Sequence, residues 1–259
     1  MLIAHLSDLH ILEEAERPRF DVRFVSIGRR LDAKDRLEKM RTAIAHARAA
    51  GAEHFLFTGD LTETGTPAQL EAFAATLADC GLRGHEVTLV PGNHDAYTSA
   101  SGWRDALEGP LQRWARNAAC EAGKIVDLGD TVVLPLDVTF HQPVTRSAGR
   151  LEEEVERAIE TRLADPALAR RRVIIAVHHP PHPRPGPWQW VDGLLGGKRL
   201  LSMIERAPNV TVAHGHLHRH ESREHGLARV VGAAAVVDGA TPLFFGERRA
   251  AITPAARCA

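Results

Sequence analysis

In "VTVAHGHLH", residues 210 to 218, a β-branched apolar run ends in a glycine set among alternating histidines. With His220 just beyond, four imidazoles (His214, His216, His218 and His220) occupy alternate positions. Taken alone, the stretch fits a chelating tract, a solvated loop or one corner of a metal site. Its form, a short strand that runs straight into a polar tip, recurs along the chain and decides the fold class. Comparable runs are "LIAHLS" (2 to 7), "HFLFTG" (54 to 59), "EVTLVPG" (86 to 92), "TVVLPLDV" (131 to 138), "RVIIAVH" (172 to 178) and "ARVVGAAAVV" (228 to 237). Several are apolar on both faces, as strands of a covered sheet are.

Helical patterns lie between these runs. Leu37, Met40 and Ile44 share one face of a helix that ends at Gly51, a residue suited to the C′ position. Thr66, Pro67 and Gln69 make a capping-box start with proline at N1, followed by Leu70, Phe73 and Leu77 and a stop at Gly81. Leu151, Val155, Ile159 and Leu163 mark a third helix, and Leu200, Leu201 and Ile204 a shorter one. Strands alternating with helices early, then a run of strands, imply a layered α/β protein with mixed sheets. Three segments read as irregular insertions into one domain spanning 1–246. Residues 11–33 mix Phe20, Phe24 and Ile27 with arginines, 138–150 are polar, and "HPRPGPWQWVDG" (182–193) is proline-rich with Trp188 and Trp190. Those tryptophans fit stacking on a base, closing a hydrophobic pocket or packing on the surface. Residues 247–259 read as a loose C-terminal tail.

Composition excludes several classes. A chain of 259 residues with 44% hydrophobic content buries a sizeable core. Lys+Arg 32 against Asp+Glu 33 gives a net charge of -1, so no global field draws it onto duplex nucleic acid or an anionic membrane. Cys80, Cys120 and Cys258 are widely spaced and outside every histidine cluster, which makes neither a disulfide framework nor a zinc–thiolate motif. The N-terminus "MLIAHLSDLH" lacks a basic n-region and no run of 18 apolar residues occurs; a cytoplasmic location is the expectation.

Five strand ends carry metal-binding residue types: Asp8 and His10 in "SDLH", Asp60 in "TGDLTETG", Asn93, His94 and Asp95 in "PGNHD", His178 and His179 in "VHHPP", and His216 and His218 in "GHLH". Ligands of α/β sheets gather beyond the carboxyl ends of strands, so these tips can converge on one pocket. Carboxylates, imidazoles and an amide oxygen, without thiolate, suit two divalent ions of the Mn, Fe, Zn or Co type. Asp8 and Asp60 offset two of the four charges of such a pair, leaving positive charge for an anionic substrate. Two ions together generate hydroxide at neutral pH and clamp a phosphoryl oxygen, so phosphoester hydrolysis is the natural reaction.

At these residues the sequence resembles the calcineurin-like metallophosphoesterases, whose spaced signature D-x-H, G-D, G-N-H-D/E, H-x-P and G-H-x-H is met in order from residue 8 to residue 218. The resemblance implies a four-layer αββα sandwich of two mixed β-sheets flanked by helices. It implies one metal held by Asp8, His10 and His218, the other by Asn93, His178 and His216, and Asp60 bridging. It also implies that His94 acts as a catalytic group beside the metals. "GDLTETG", "PGNHD" and "HHPP" are most similar to the cyclic-nucleotide and glycerophosphodiester phosphodiesterase branch.

Singly, Asp60 and Asn93 read as turn residues, and only the full set makes them ligands. The register before proline selects His178 and leaves His179 as a neighbour or substrate contact. His214 and His220 read as sheet or rim residues. Asp95 fits either a hydrogen bond to His94 or a turn. The functional expectation is a phosphodiesterase for a small diester. The alternatives are a hydrolase of a lipid-linked pyrophosphate such as a UDP-diacylglucosamine-type lipid A precursor, and a phosphomonoesterase. The lipid alternative rests on Phe20, Phe24, Val25 and Ile27 among Arg17, Arg19, Arg23, Arg29 and Arg30, and would alone bring membrane contact. An inactive scaffold would lack ligands or His94, and none is missing. The motifs contain no arginine assignable to phosphate. The natural substrate, native metal pair and oligomeric state are not encoded in any motif.

Overall fold

In the computed structural model, which describes residues 1–13, 26 and 29–247, the strands are β1 Leu2–Leu6, β2 His54–Thr58, β3 Val87–Val90, β4 Val126–Asp127, β5 Thr131–Pro135, β6 Gly149–Arg150, β7 Arg172–Ala176, β8 Leu194–Leu195, β9 Val210–His214, β10 Glu221–His225, β11 Ala228–Gly232 and β12 Leu243–Gly246. The helices are α1 Ala33–Ala49, α2 Pro67–Asp79, α3 Gly102–Glu108, α4 Glu153–Leu163, α5 Trp188–Asp192 and α6 Gly197–Ile204. One sheet has the order β12-β1-β2-β3 and a second the order β10-β11-β9-β7-β5-β4. Inner neighbours pair in parallel, while β12, β10 and β4 run antiparallel at the edges. A short parallel pair, β6 with β8, stands apart.

The two-residue period of the strands explains the layering. Ile3, Leu56, Val90, Val133, Ile174, Ala176 and Ala213 form one cluster between the sheets. Their neighbours point the other way: Ala4, Leu6, Phe55 and Phe57 pack against Met40 and Ile44 of α1 and Phe73 and Leu77 of α2. On the opposite side Val132, Leu134, Val173, Ile175 and Val212 pack against Ile159 of α4 and Leu200 and Ile204 of α6. A strand buried on both faces must be apolar throughout, which is why these runs do not alternate. The result is the two-mixed-sheet sandwich with outer helices.

Helix boundaries follow local chemistry. Asp32 caps α1 by accepting from the Asp35 N–H at 3.0 Å, and Thr66 caps α2 by accepting from Gln69 at 3.2 Å. Gly51 and Gly81 close the two helices at φ +89° and +68°, which favours glycine. Patterning does not anticipate α3, α5, or the strands β4, β6, β8, β10 and β12. The run 228–237 divides: the strand stops at Gly232, and the Val236 and Val237 N–H groups turn to donate to the Ser7 and Asp8 carbonyls at 3.0 and 3.1 Å. The 182–193 segment is not wholly irregular, since Trp188–Asp192 form a turn of helix. Arg17, Arg19, Phe20, Arg23, Phe24, Val25 and Ile27 lie outside the described residues, as does the tail from residue 248 onward. Among the described residues no helix is long and apolar enough to cross a membrane.

Candidate metal centre

The loops after β1, β2, β3, β7 and β9 meet at one end of the sandwich. The non-glycine residues with positive φ among those described are Asp8 (+55°), His10 (+50°), Asp60 (+48°), His216 (+68°) and His218 (+53°). Each belongs to the expected ligand set. This left-handed backbone is costly for such residues and tends to persist where function requires it. Here it is held by cross-loop bonds: Leu9 and His10 N–H donate to the Asp60 carbonyl at 2.9 Å, and Asp8 N–H donates to Gly59 O at 3.1 Å. Glycine is required alongside, because a Cβ at Gly92 would collide with the Asp60 carboxylate.

Three overlapping sets each bring one ligand atom per residue to within 4.8 Å of one another: Asp8, His10 and His218; His10, Asp60 and His94; Asp60, His178 and His216. Oδ2 of Asp60 lies 3.2 Å from His178 Nε2, 3.7 Å from His10 Nε2 and 3.8 Å from His94 Nε2. His10 Nε2 and His218 Nε2 are 3.3 Å apart, and His218 Nε2 is 3.4 Å from Asp8 Oδ1. Asn93 donates through Nδ2 to the Tyr97 hydroxyl at 2.9 Å.

The far nitrogens of His178, His216, His94 and His218 each meet an acceptor. His178 Nδ1 donates to Thr58 O at 2.7 Å, His216 Nε2 to Asp192 O at 3.0 Å, and His94 Nδ1 to Glu63 O at 2.7 Å. His218 Nδ1 pairs with Asp238 Oδ2 at 3.0 Å, and His10 Nδ1 faces Glu63 Oε2 at 3.4 Å. Such outer partners fix the tautomer and aim the remaining nitrogen. Glu63 is itself buried, paired with Arg36 and Arg29 and accepting from Ser26 at 2.6 Å.

The residues fit a pair of divalent cations. Asn93 Oδ1 and His178 Nε2 are buried without a hydrogen-bond partner, a costly arrangement that a cation relieves. Burial pushes His10 and His216 down to about 4, keeping them neutral as ligands must be. Burial opposes ionisation of Asp60, but His178 and His94 hold its carboxyl well below the usual range. Burial likewise disfavours charge on His178, yet Asp60 pushes it up to about 9; that proton is one a bound cation displaces.

The calcineurin-like phosphoesterase family model matches residues 1–220. The chain belongs to this family. Its Asp and His groups lie close enough together to hold metal ions. A protein of Rhodococcus erythropolis (strain PR4 / NBRC 100887) named "Probable cyclic nucleotide phosphodiesterase" is 27% identical over 224 residues, covering 83% of this chain. The match spans 64% of that relative's length. A dimetal phosphatase from Danio rerio superposes with a TM-score of 0.65 at 15% identity, covering 91% of this chain and 88% of the other. The Thermus thermophilus protein TT1561 gives 0.57 at 13% identity, covering 96% and 99%. Both share the calcineurin-like fold.

All eight sequence-derived site residues, Asp8, His10, Asp60, Asn93, His94, His178, His216 and His218, lie at this end of the sandwich. His214 is buried and turned away, with Nδ1 on Gly215 O at 2.9 Å, and His220 accepts from Ala234 N–H at 3.1 Å. Asp95 takes the turn role: its carboxylate accepts from Gly92, Leu61 and Thr62 N–H and from the Thr62 hydroxyl. His179 donates to Ser147 O at 2.7 Å and so ties down the 138–150 segment. Sequence reasoning missed Glu63 and Asp238, and named Arg29 only for the lipid alternative. Glu63 stands inside "TGDLTETG" and was open to notice, whereas Asp238 reads only as a turn residue. Arg29, from outside the motifs, reaches the site: its guanidinium is 3.2 Å from His10 Nε2 and 3.4 Å from His218 Nε2.

Proposed function

We propose that the chain is a binuclear phosphodiesterase acting on a small diester, a cyclic nucleotide first and a glycerophosphodiester next. Asp8, His10 and His218 would hold one ion, Asn93, His178 and His216 the other, and Asp60 both. The observation that carries this is that His178, His216 and His218 are each hydrogen-bonded at one ring nitrogen and, with His10, gather with Asp8 and Asp60 in overlapping sets whose ligand atoms lie within 4.8 Å of one another. Divalent ions of the Mn, Fe, Zn or Co type supply Lewis acidity toward phosphoryl oxygens and acidify water. His94, fixed through Nδ1, presents Nε2 toward the site and is the group placed to give a proton to the departing oxygen. The diester choice is supported by the name of the Rhodococcus relative and by the modest charge left over after Asp8 and Asp60.

A panel of cyclic nucleotides, glycerophosphodiesters, monoesters and pyrophosphates assayed after Mn²⁺ reconstitution tests the reading. Highest kcat/KM on a cyclic nucleotide or glycerophosphodiester is expected; a monoester preferred throughout would overturn it. One observation favours that second outcome: Arg29 adds a cation beside His10 and His218, which suits the second charge of a monoester dianion.

A further inference from the structure

The 138–150 and 182–193 segments form one wall of the metal centre. Tyr97, which accepts from Asn93, donates to Arg146 O at 3.2 Å, and His216 is bonded to Asp192 O. The two segments are laced together by Ser147 N–H to Val191 O at 2.8 Å and Gly149 N–H to Gly193 O at 3.1 Å. The helical turn between them is pinned at both ends. Arg184 grips Asp192 with a fork of 3.1 and 2.8 Å, and Gln189 bonds Leu194 O at 2.9 Å.

On this rigid wall the side chains alternate aromatic with cationic. Arg146 Cζ lies 4.4 Å from the Trp190 ring centre and 5.0 Å from that of Phe140, and Arg150 Cζ lies 4.5 Å from Phe140. Arg146 also donates through Nε to the Trp190 carbonyl at 2.9 Å, fixing the stack. Yet Trp190 remains 62% exposed. A large indole backed by a cation on one side and left open to water is poor packing but a good stacking surface, since base–aromatic contacts need only an available π-face. The other large exposed apolar residues among those described are Leu31, Trp188, Leu227 and Phe244, of which Trp188 shares this loop.

We propose that Trp190, backed by Arg146, is the platform on which the base of a nucleotide stacks while its phosphoryl group lies at the metal centre. This rests on the nucleotide reading given under Proposed function. It makes the 182–193 segment a specificity element, acting on the distal half of the substrate rather than on the phosphoryl group.

Calorimetric titration of the Mn²⁺-loaded protein with AMP and with ribose 5-phosphate separates base from phosphate. Trp190→Ala should weaken AMP roughly five- to thirty-fold, the low to middle range for loss of one stacked base, and leave ribose 5-phosphate within twofold. Trp190→Phe should restore most of the AMP affinity. Trp188→Ala, roughly 200° around the same helical turn, should change neither. Unchanged AMP binding in Trp190→Ala, or equal losses for AMP and ribose 5-phosphate, would overturn the platform. So would unchanged AMP binding accompanied by lost affinity for vesicles of anionic phospholipid, which would assign the tryptophan to a membrane instead. A wild type that binds AMP through Trp190 but does not hydrolyse cyclic AMP would sink the cyclic-nucleotide reading and leave the platform standing. Cyclic AMP turnover with KM indifferent to Trp190 would do the reverse.

Discussion

The backbone N–H of His94 donates to Oδ1 of Asp60 at 3.0 Å, which commits that oxygen and leaves Oδ2 facing His10, His94 and His178. One carboxylate thereby couples the loop after β2 to the loop after β3 and still presents a free edge to the site. A similar division recurs at His178 and His218, whose Nδ1 atoms bond Thr58 O and Asp238 Oδ2 while Nε2 faces Asp60 or Asp8.

That geometry makes Asp60→Asn more than a loss of charge. The amide oxygen must take the place of Oδ1 to accept from His94, so the amide nitrogen faces the three imidazoles in place of Oδ2. Metal content by elemental analysis should fall for both ions in Asp60→Asn, but chiefly for one in His216→Ala or His218→Ala. A fully metallated Asp60→Asn protein would remove Asp60 from the bridging position.

His214→Ala and His220→Ala should keep both metals and nearly full turnover, because their nitrogens serve Gly215, Glu221 and Ala234 rather than the centre. His214 is fully buried, so its removal should still cost about 1–3 kcal/mol of stability through the cavity and the lost bond. An emptied metal site in either variant would show that the register through residues 214 to 220 is misread.

The strands β1, β2, β3, β5, β7 and β9 were legible because burial on both faces forces apolar runs, and the ligands because each ends such a run. Edge strands escaped: β10, "ESREH", is mostly exposed, so nothing in its residue types distinguishes it from a loop. Glu63 and Asp238 escaped for a different reason. They act on His10 and His218 only after distant segments meet, and a carboxylate in a turn carries no local mark of its partner. Trp190 was visible as a residue, but its use depended on Arg146, which only the fold places against it.

Glu63→Gln tests how far the ligands depend on their outer partners. It weakens the acceptor facing His10 and leaves the buried Arg36 without its counter-charge. Mn²⁺ affinity should fall roughly 10–100-fold, and stability by about 3 kcal/mol, the low end for a broken buried pair. Adding Arg36→Met should recover stability in urea unfolding but not metal affinity. Recovery of both would make Glu63 a fold residue only.

His54 gives a pH dependence remote from the metals. It bonds Thr88 Oγ1 at 2.9 Å between the sheets, and burial pushes it down from 6.5 to about 4. A folded-state pKa below the unfolded one contributes stability that is present above pH 6.5 and lost as pH falls toward 4, up to about 3 kcal/mol. In chelator-treated protein, unfolding free energy should therefore drop less for His54→Gln than for wild type between pH 7 and pH 4.5. Equal drops would rule the group out as a contributor.

His94 is asked to act without holding metal, and its tautomer makes the claim specific. Because Nδ1 donates to the Glu63 carbonyl, a proton given up by Nε2 must come from the doubly protonated ring. Protonation of a basic alkoxide should be worth on the order of 10²–10⁴-fold, whereas an acidic nitrophenolate departs with little help. His94→Ala should therefore keep both metals, slow an alkyl diester severely and spare an activated aryl diester, steepening the dependence of rate on leaving-group pKa. The competing role, stabilising charge on the phosphoryl group, would depress both substrates by a similar factor. Measuring kcat/KM for wild type and His94→Ala across a leaving-group series decides between them: parallel lines would refute proton donation and leave the metal assignment intact.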